Sequence, residues 1–240
     1  MSVVVVIPAY DAARHVRSVI ARVIAQSALD IQRIFVIDDG SRDHTRAEVR
    51  AAAADHPRVE LLERAANGGY GAALKDGLAA ARALDPDVVA CVHADGQYSP
   101  EVLPALVREM RSRGLDLLQG SRIAGGAALA GGMPLYKYVA NAVLNQLENR
   151  TLQLSMTDYH SGYLIYGRRT LRELPFHALS NSFDFDLEVI ASARARRLAV
   201  GEAPIPTHYG DEISHLNPIG YGMSVLRVLW KYGRGRYDPA

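Results

Sequence analysis

Apolar residues fall along this chain in two alternating rhythms. Residues 3–7 are an unbroken valine–isoleucine run, the pattern of a strand buried on both faces. Residues 12–26 then change period, with Val16, Val19, Ile20, Val23 and Ile24 at helical spacing. The alternation continues with a strand over 34–37, a helix over 43–54 and a strand over 59–62. A turn at Asn67-Gly68-Gly69 leads into an Ala/Leu-rich helix over 70–83, a strand over 88–92, a helix over 100–112 and a strand over 116–119.

The second half changes character. Residues 123–133 are rich in Gly and Ala and read as a mobile loop. A helix starts at Pro134, suited to a first turn, and runs to about residue 152. A strand over 162–166, a helix over 182–196, a strand over 198–203 and a last helix over 216–232 complete the pattern. Repeated strand–helix units predict an α/β fold with a doubly wound, mostly parallel sheet. The expected organisation is one domain over 1–240, without repeats or low-complexity tails. Its parts are a nucleotide-binding half over 3–122, an acceptor-facing half over 123–215 and a C-terminal basic amphipathic helix with a tail over 216–240.

Composition narrows the class. The chain has 240 residues, 49% hydrophobic and 22% charged, enough for a folded core. A net charge of +1 gives no reason to expect a nucleic-acid partner. One cysteine, Cys91, excludes an internal disulfide framework and fits a reducing compartment. No signal segment and no apolar run of spanning length is visible, so the expected location is cytoplasmic, with peripheral membrane attachment left open. A homodimer is equally left open.

In doubly wound sheets, ligands bind beyond the carboxyl ends of the strands. Three polar sequences stand at such ends or connections: Asp38-Asp39-Gly40-Ser41, Asn67-Gly68-Gly69 and His93-Ala94-Asp95-Gly96-Gln97. Ser41 and Asp43 suit a helix cap, but a cap does not explain two adjacent carboxylates, which can accept hydrogen bonds from a ribose or a base. Asp95, before a glycine at a strand end, suits a hard divalent cation bridging a diphosphate; the alternative is a turn aspartate. Cys91, His93 and Asp95 alternate onto one face, and Cys91 reads as a buried strand residue rather than a ligand. Gly68-Gly69-Tyr70-Gly71 is either a packing turn or a helix N-terminus facing phosphate. Lys75 reads as a solvated helix residue. The other histidines, His15, His44, His56, His160, His177 and His215, are scattered without metal-site spacing.

Taken in order, these sequences resemble family 2 glycosyltransferases of the GT-A type. The matching set is Pro8-Ala9-Tyr10-Asp11, Asp38-Asp39-Gly40-Ser41 with Asp43 and Thr45, Asn67-Gly68-Gly69-Tyr70-Gly71-Ala72, His93-Ala94-Asp95-Gly96-Gln97 and Gly120-Ser121-Arg122. The resemblance continues through Asp158-Tyr159-His160-Ser161-Gly162-Tyr163, Phe183-Asp184-Phe185-Asp186-Leu187-Glu188 and Glu202-Ala203-Pro204-Ile205, an order similar to that of polyprenyl-phosphate (dolichyl-phosphate) hexosyltransferases. It implies inverting transfer of a hexose from a nucleotide sugar, UDP- before GDP-, with Mn²⁺ or Mg²⁺ as cofactor. It implies that Pro8, Ala9, Tyr10, Asp11, Asp38, Asp39, Asn67, Gly68, His93 and Ala94 surround the nucleotide sugar. Asp95 and Gln97 would bind the metal–diphosphate, with His93 as a further ligand candidate. Arg122 would lie near the phosphates or the acceptor. Lys137 and Asn141 fall where such enzymes carry the residues that hold an acceptor phosphate, and Ser161, Gly162, Asp158 and His208 complete the sugar and acceptor sides.

The chain departs from the family at His93, where the metal motif begins with aspartate. If His93 ligates, Mn²⁺ is favoured over Mg²⁺; otherwise Asp95 and Gln97 act with the diphosphate alone. Asp11 replaces the family's usual Asn. A lipid-phosphate acceptor arrives ionised, with a second pKa of about 6, and needs no general base. A hydroxyl acceptor, as in surface polysaccharide synthesis, does need one. Asp184 is then the first candidate and Asp158 the second; the alternative for Asp184 and Asp186 is a first-turn carboxylate favoured by the helix dipole. On the last helix, Arg227, Lys231 and Arg234 share a face while Val225, Leu226, Val228, Leu229, Trp230 and Tyr232 cover the rest. That helix either lies on a lipid surface or packs on the domain, and Leu135, Tyr136, Tyr138, Val139, Val143 and Leu144 are a second contact or plain core. A non-catalytic nucleotide-sugar-binding subunit is the competing function, and His93 is its support.

Overall fold

The computed structural model describes residues 1–126, 133–206 and 218–239. Seven strands form one sheet: β1 (Ser2–Ala9), β2 (Asp30–Asp38), β3 (Val59–Glu63), β4 (Val88–Cys91), β5 (Leu117–Ser121), β6 (Leu164–Gly167) and β7 (Val200–Pro204). The helices are α1 (Val16–Ile24), α2 (Thr45–Asp55), α3 (Tyr70–Arg82), α4 (Leu103–Ser112), α5 (Leu135–Leu152), α6 (Arg168–Glu173), α7 (Phe185–Ala195) and α8 (Pro218–Gly233). The sheet order is β3-β2-β1-β4-β6-β5-β7. The pairs β1–β2, β1–β4, β2–β3 and β5–β7 are parallel; β6 runs antiparallel to both β4 and β5.

The valine run of β1 is uninterrupted because both its faces are covered. Val3, Val5 and Ile7 join one core with α1, α2 and α4, while Val4 and Val6 join the other with α3, α7 and α8. The short helix α6 and a 3-10 turn over Phe176–Ala178 were not anticipated; both are shorter than a helical apolar pattern needs to show itself. Of the expected Gly/Ala loop, residues 127–132 lie outside the described residues, as do residues 216 and 217 of the expected last helix.

The reversal of β6 has a geometric consequence for the site. An antiparallel strand begins at the end where its parallel neighbours finish. The loop before β6, residues 158–163, therefore stands beside the loops that leave β4 and β5.

Candidate functional site

β1 lies between β2 and β4, and the chain winds away from it in both directions, so the β1–β4 boundary is a topological switch point. Pro8 and Ala9 close β1, and Tyr10 follows with 41% of its surface exposed. Asp11 sits in the left-handed region at φ +48°, which Asn and Asp tolerate best among residues with a Cβ; its departure from Asn keeps that tolerance. The loop is stitched to the one after β2. Asp11 Oδ1 accepts the Arg42 N–H at 2.7 Å, Ser41 Oγ accepts the Asp11 N–H at 2.9 Å, and Thr45 Oγ1 accepts the Ala12 N–H at 2.8 Å. Neither cap candidate caps α2, whose N-cap position is His44 without a side-chain cap bond; Asp43, one residue further out, accepts the Thr45 N–H at 2.9 Å.

Asp38 and Asp39 are both buried and both engaged within the protein. Asp38 Oδ2 pairs with Arg46 Nε at 2.6 Å and accepts the Ser41 N–H at 3.2 Å, while its Oδ1 is buried without a partner among the described residues. Asp39 receives the Gly68 and Gly69 N–H groups, each at 2.9 Å, and Arg64 Nε stands 2.8 Å from its Oδ1. Its two oxygens thus fasten the Asn67-Gly68-Gly69 turn to the end of β2. That turn packs closely: a Cβ on Gly69 would stand 2.5 Å from the Asn181 carbonyl oxygen. Lys75 is half-buried, and its ammonium donates to the Leu179 carbonyl at 2.7 Å.

Beyond β4, His93 is held from two sides. Its Nε2 lies 3.1 Å from the Gly162 carbonyl oxygen, which can only accept, so that nitrogen carries the proton and Nδ1 carries the lone pair. Burial lowers the imidazole's pKa and keeps it neutral, against the opposing pull of Asp95. The Tyr70 hydroxyl lies 3.3 Å from the same Nε2 and donates to Asp186 Oδ2 at 2.9 Å. Burial raises the Asp186 carboxyl to about 7, with the Tyr70 hydrogen bond opposing. Gly162 is required by this contact. It adopts φ +72°, and a Cβ there would fall 2.6 Å from His93 Cε1. Asp95 is half-buried, and its Oδ1 accepts the Gln97 N–H at 2.9 Å.

The β5 end carries a second cluster. Arg122 grips Asp158 in a two-pronged pair, Nε–Oδ2 at 2.7 Å and Nη2–Oδ1 at 2.9 Å. Asp158 also accepts the Arg122 and His160 N–H groups at 3.1 and 2.9 Å. Burial would raise this carboxyl, but the Arg122 guanidinium outweighs it and holds Asp158 below the usual carboxylate range. Ser161 is spent internally: its hydroxyl donates to the Gly120 carbonyl and accepts from Gln119, each at 2.5 Å. Asp184 opens α7 and accepts the Ser180 hydroxyl at 2.6 Å. Next to it, the exposed Phe183 ring stacks on Tyr70 with centroids 5.7 Å apart.

Asn141 is half-buried on α5, as is Gln97 after β4. Lys137 lies in α5 with its side chain undescribed, and His208 and His215 lie outside the described residues. Sequence reasoning missed Tyr70 as a link between the two halves, and it missed the burial of Asp186. A signal existed: residues 185–193 are apolar on all sides of the helix apart from Asp186, Glu188 and Ser192, so those carboxylates had to land inside. Glu202, whose Oε2 accepts the Thr157 and Asp158 N–H groups at 2.8 and 3.3 Å, braces the Asp158 loop from β7.

Among the described residues, no three His, Cys, Asp or Glu side chains converge to form a cation cage. Asp95 alone still fits a hard cation whose remaining ligands are water and substrate phosphate oxygens, the usual coordination of Mg²⁺ at nucleotides. His93 Nδ1 is the imidazole atom with a lone pair to offer.

Comparison with known proteins agrees with this geometry. Residues 4–174 match the model of Glycosyl transferase family 2. An undecaprenyl-phosphate mannosyltransferase of Micrococcus luteus is 30% identical over 207 residues, covering 85% of this chain and 83% of that protein. A UDP-N-acetylglucosamine–dolichyl-phosphate N-acetylglucosaminyltransferase of Methanococcus voltae is 24% identical over 216 residues, covering 85% and 84%. In fold, the chain is similar to glucosyl-3-phosphoglycerate synthase of Mycobacterium tuberculosis crystallised with phosphoglyceric acid. That match has a TM-score of 0.70 and 20% identity, and it covers 100% of this chain and 81% of that one. The same enzyme with Mn²⁺, UDP-glucose and phosphoglyceric acid gives a TM-score of 0.69 at 18% identity, with coverage of 100% and 81%.

Proposed function

The chain belongs to glycosyl transferase family 2, and from that membership we propose that it moves a hexose-type sugar, with inversion, from a UDP-sugar in preference to a GDP-sugar onto a polyprenyl phosphate. The observation that carries the reading is the meeting of Tyr10, Asp95, His93 and the Arg122–Asp158 pair at the switch-point end of one sheet. The names of the Micrococcus and Methanococcus relatives support the acceptor class.

The donor lies in the half formed by 3–122, its base beside Pro8, Ala9 and Tyr10, with Asp39 setting the turn at Asn67-Gly68. Mn²⁺ or Mg²⁺, when bound, supplies neutralisation of the charge that develops on the leaving diphosphate. Asp95 would hold it, with Gln97 and His93 alongside. Asp158 fixes the direction of the Arg122 guanidinium, and so positions that cation for phosphate oxygens rather than accepting a proton. An ionised lipid phosphate can then attack the anomeric carbon in line with no protein base. A hydroxyl acceptor is the second reading, favoured by the place of Asp184 beside Phe183 and Tyr70.

Such an acceptor calls for a lipid surface, and two helices offer one. On α5, Leu135, Val139, Val143 and Leu147 recur every fourth residue and are all exposed, Leu135 by 67%. On α8, which packs against α5, Met223, Leu226 and Trp230 are exposed, with the Arg234 guanidinium 4.2 Å from the Trp230 ring centroid. The one acidic residue in the two helices, Glu148, is buried, while Arg150, Arg227 and Arg234 are exposed. Charge of one sign beside an apolar ridge fits an anionic bilayer surface, the cytoplasmic face in this reading. Among the described residues, no helix is long and apolar enough to cross a membrane.

The test is transfer of labelled sugar from UDP- and GDP-hexoses to undecaprenyl phosphate in detergent with Mn²⁺. Incorporation into lipid that survives Asp184→Asn supports the reading. No transfer to undecaprenyl phosphate, but transfer to a glycan hydroxyl that Asp184→Asn abolishes with donor binding intact, assigns a hydroxyl acceptor, and binding without any turnover assigns a non-catalytic subunit.

A further inference from the structure

The loop that carries Asp158 and Gly162 has one more buried attachment. His160, one of the scattered histidines, has a nearly enclosed side chain (6% exposed). Its Nδ1 lies 2.9 Å from the Tyr221 hydroxyl of α8, and its Nε2 lies 3.3 Å from Glu148 Oε2 of α5. Glu148 is fully buried, and neither of its carboxylate oxygens has a hydrogen-bond partner among the described residues. Burying an unpartnered carboxyl is costly, and the His160 Nε2, itself without a hydrogen-bond partner among the described residues, is set against it at 3.3 Å. The same residue's N–H donates to Asp158, the holder of Arg122, and two residues later the Gly162 carbonyl receives His93. One side chain thus joins both helices of the apolar face to the loop that orients both polar clusters of the site.

We propose that His160 is a positioning residue that couples the α5–α8 face to the transfer site, so that seating the helix pair on lipid sets the 158–162 loop and, through it, Arg122 and His93. The inference rests on the lipid-docking and donor-binding parts of the proposed function. Coupling of this kind is reciprocal: whatever factor lipid adds to nucleotide affinity, nucleotide adds to lipid affinity.

Trp230, the single tryptophan, is exposed on α8 and reports docking by its own fluorescence. The experiment titrates UDP with Mn²⁺ in the presence and absence of phosphatidylcholine–phosphatidylglycerol vesicles, and titrates the vesicles with and without UDP–Mn²⁺. In the wild type, each partner is expected to tighten the other by the same factor, roughly fivefold or more. His160→Gln should bring that factor to one while leaving each separate affinity in place. Tyr221→Phe, which removes one hydroxyl, should reduce it and serves if His160→Gln does not fold. A wild type that binds both partners independently overturns the inference alone, as does full coupling in His160→Gln. A wild type that fails to bind vesicles, or fails to bind UDP, overturns the reading beneath it as well.

Discussion

Replacing Gly162 by alanine should cost far more in the native chain than in one that lacks the His93 imidazole. At φ +72° an L-residue stands in the left-handed region, a cost of about 1–2 kcal/mol. The new Cβ would also lie 2.6 and 2.7 Å from His93 Cε1 and Nε2. The imidazole meets the Tyr98 ring edge-on at 5.2 Å and the Tyr70 ring at 5.6 Å, so it has little room to withdraw. Overpacking of this kind adds about 1–3 kcal/mol. Gly162→Ala should therefore destabilise by about 2–5 kcal/mol in the wild type and by about 1–2 kcal/mol in His93→Ala, where the backbone penalty remains and the Tyr70 hydroxyl, 3.2 Å from the new Cβ, can turn away into the space left by the imidazole. Urea unfolding of the four proteins gives the cycle directly. Equal penalties in the two backgrounds would mean that the contact between Gly162 and His93 carries nothing.

Three further outcomes follow from the same contacts. Asp158→Asn breaks the buried Arg122 pair, which should cost about 3–5 kcal/mol and lower Tm by at least about 6 °C. Because the native carboxyl is held low, its stabilisation is present above the usual carboxylate range and is lost as pH falls from there through the lowered folded value. The gap between variant and wild type should therefore close in acid. Asp186 has the opposite sign: its folded value, raised to about 7, makes stability fall as pH rises from the ordinary carboxylate value of about 4 towards 7. Asp186→Asn should remove that slope, and an unchanged slope in a pH series of melts would contradict the assignment. Val143→Asp with Leu226→Asp should abolish binding to anionic vesicles in a flotation assay while leaving UDP binding intact; undiminished flotation would remove α5 and α8 from the docking face.

The middle of the sheet was legible because β1 and β4 are buried almost throughout, and the apolar runs over 3–7 and 34–37 have no polar interruption to obscure them. The strand-end positions of Asp38 and Asp95 followed from the same runs. Their partners did not. Whether Asp39 faces a ligand or the Gly68 and Gly69 amides depends on a turn thirty residues away, and no local period encodes that distance. The reversal of β6 was equally silent, since a four-residue apolar strand reads the same in either direction. It is this reversal that brings Gly162 to His93 and Asp158 to Arg122. His160 looked ordinary for the same reason: its partners lie on α5 and α8, and pairing across elements leaves no trace in spacing.

In the proposed function a nucleoside diphosphate is gripped through a cation held by Asp95, since the described residues offer no cage of their own. Calorimetric titration of UDP with and without Mn²⁺, in the wild type and in Asp95→Asn, tests it most directly. Chelation should weaken UDP binding by roughly tenfold or more, about 1.4 kcal/mol, and Asp95→Asn should lie at the chelated value whether or not metal is present. UDP binding of equal strength with and without Mn²⁺, or a metal effect that persists in Asp95→Asn, would contradict it.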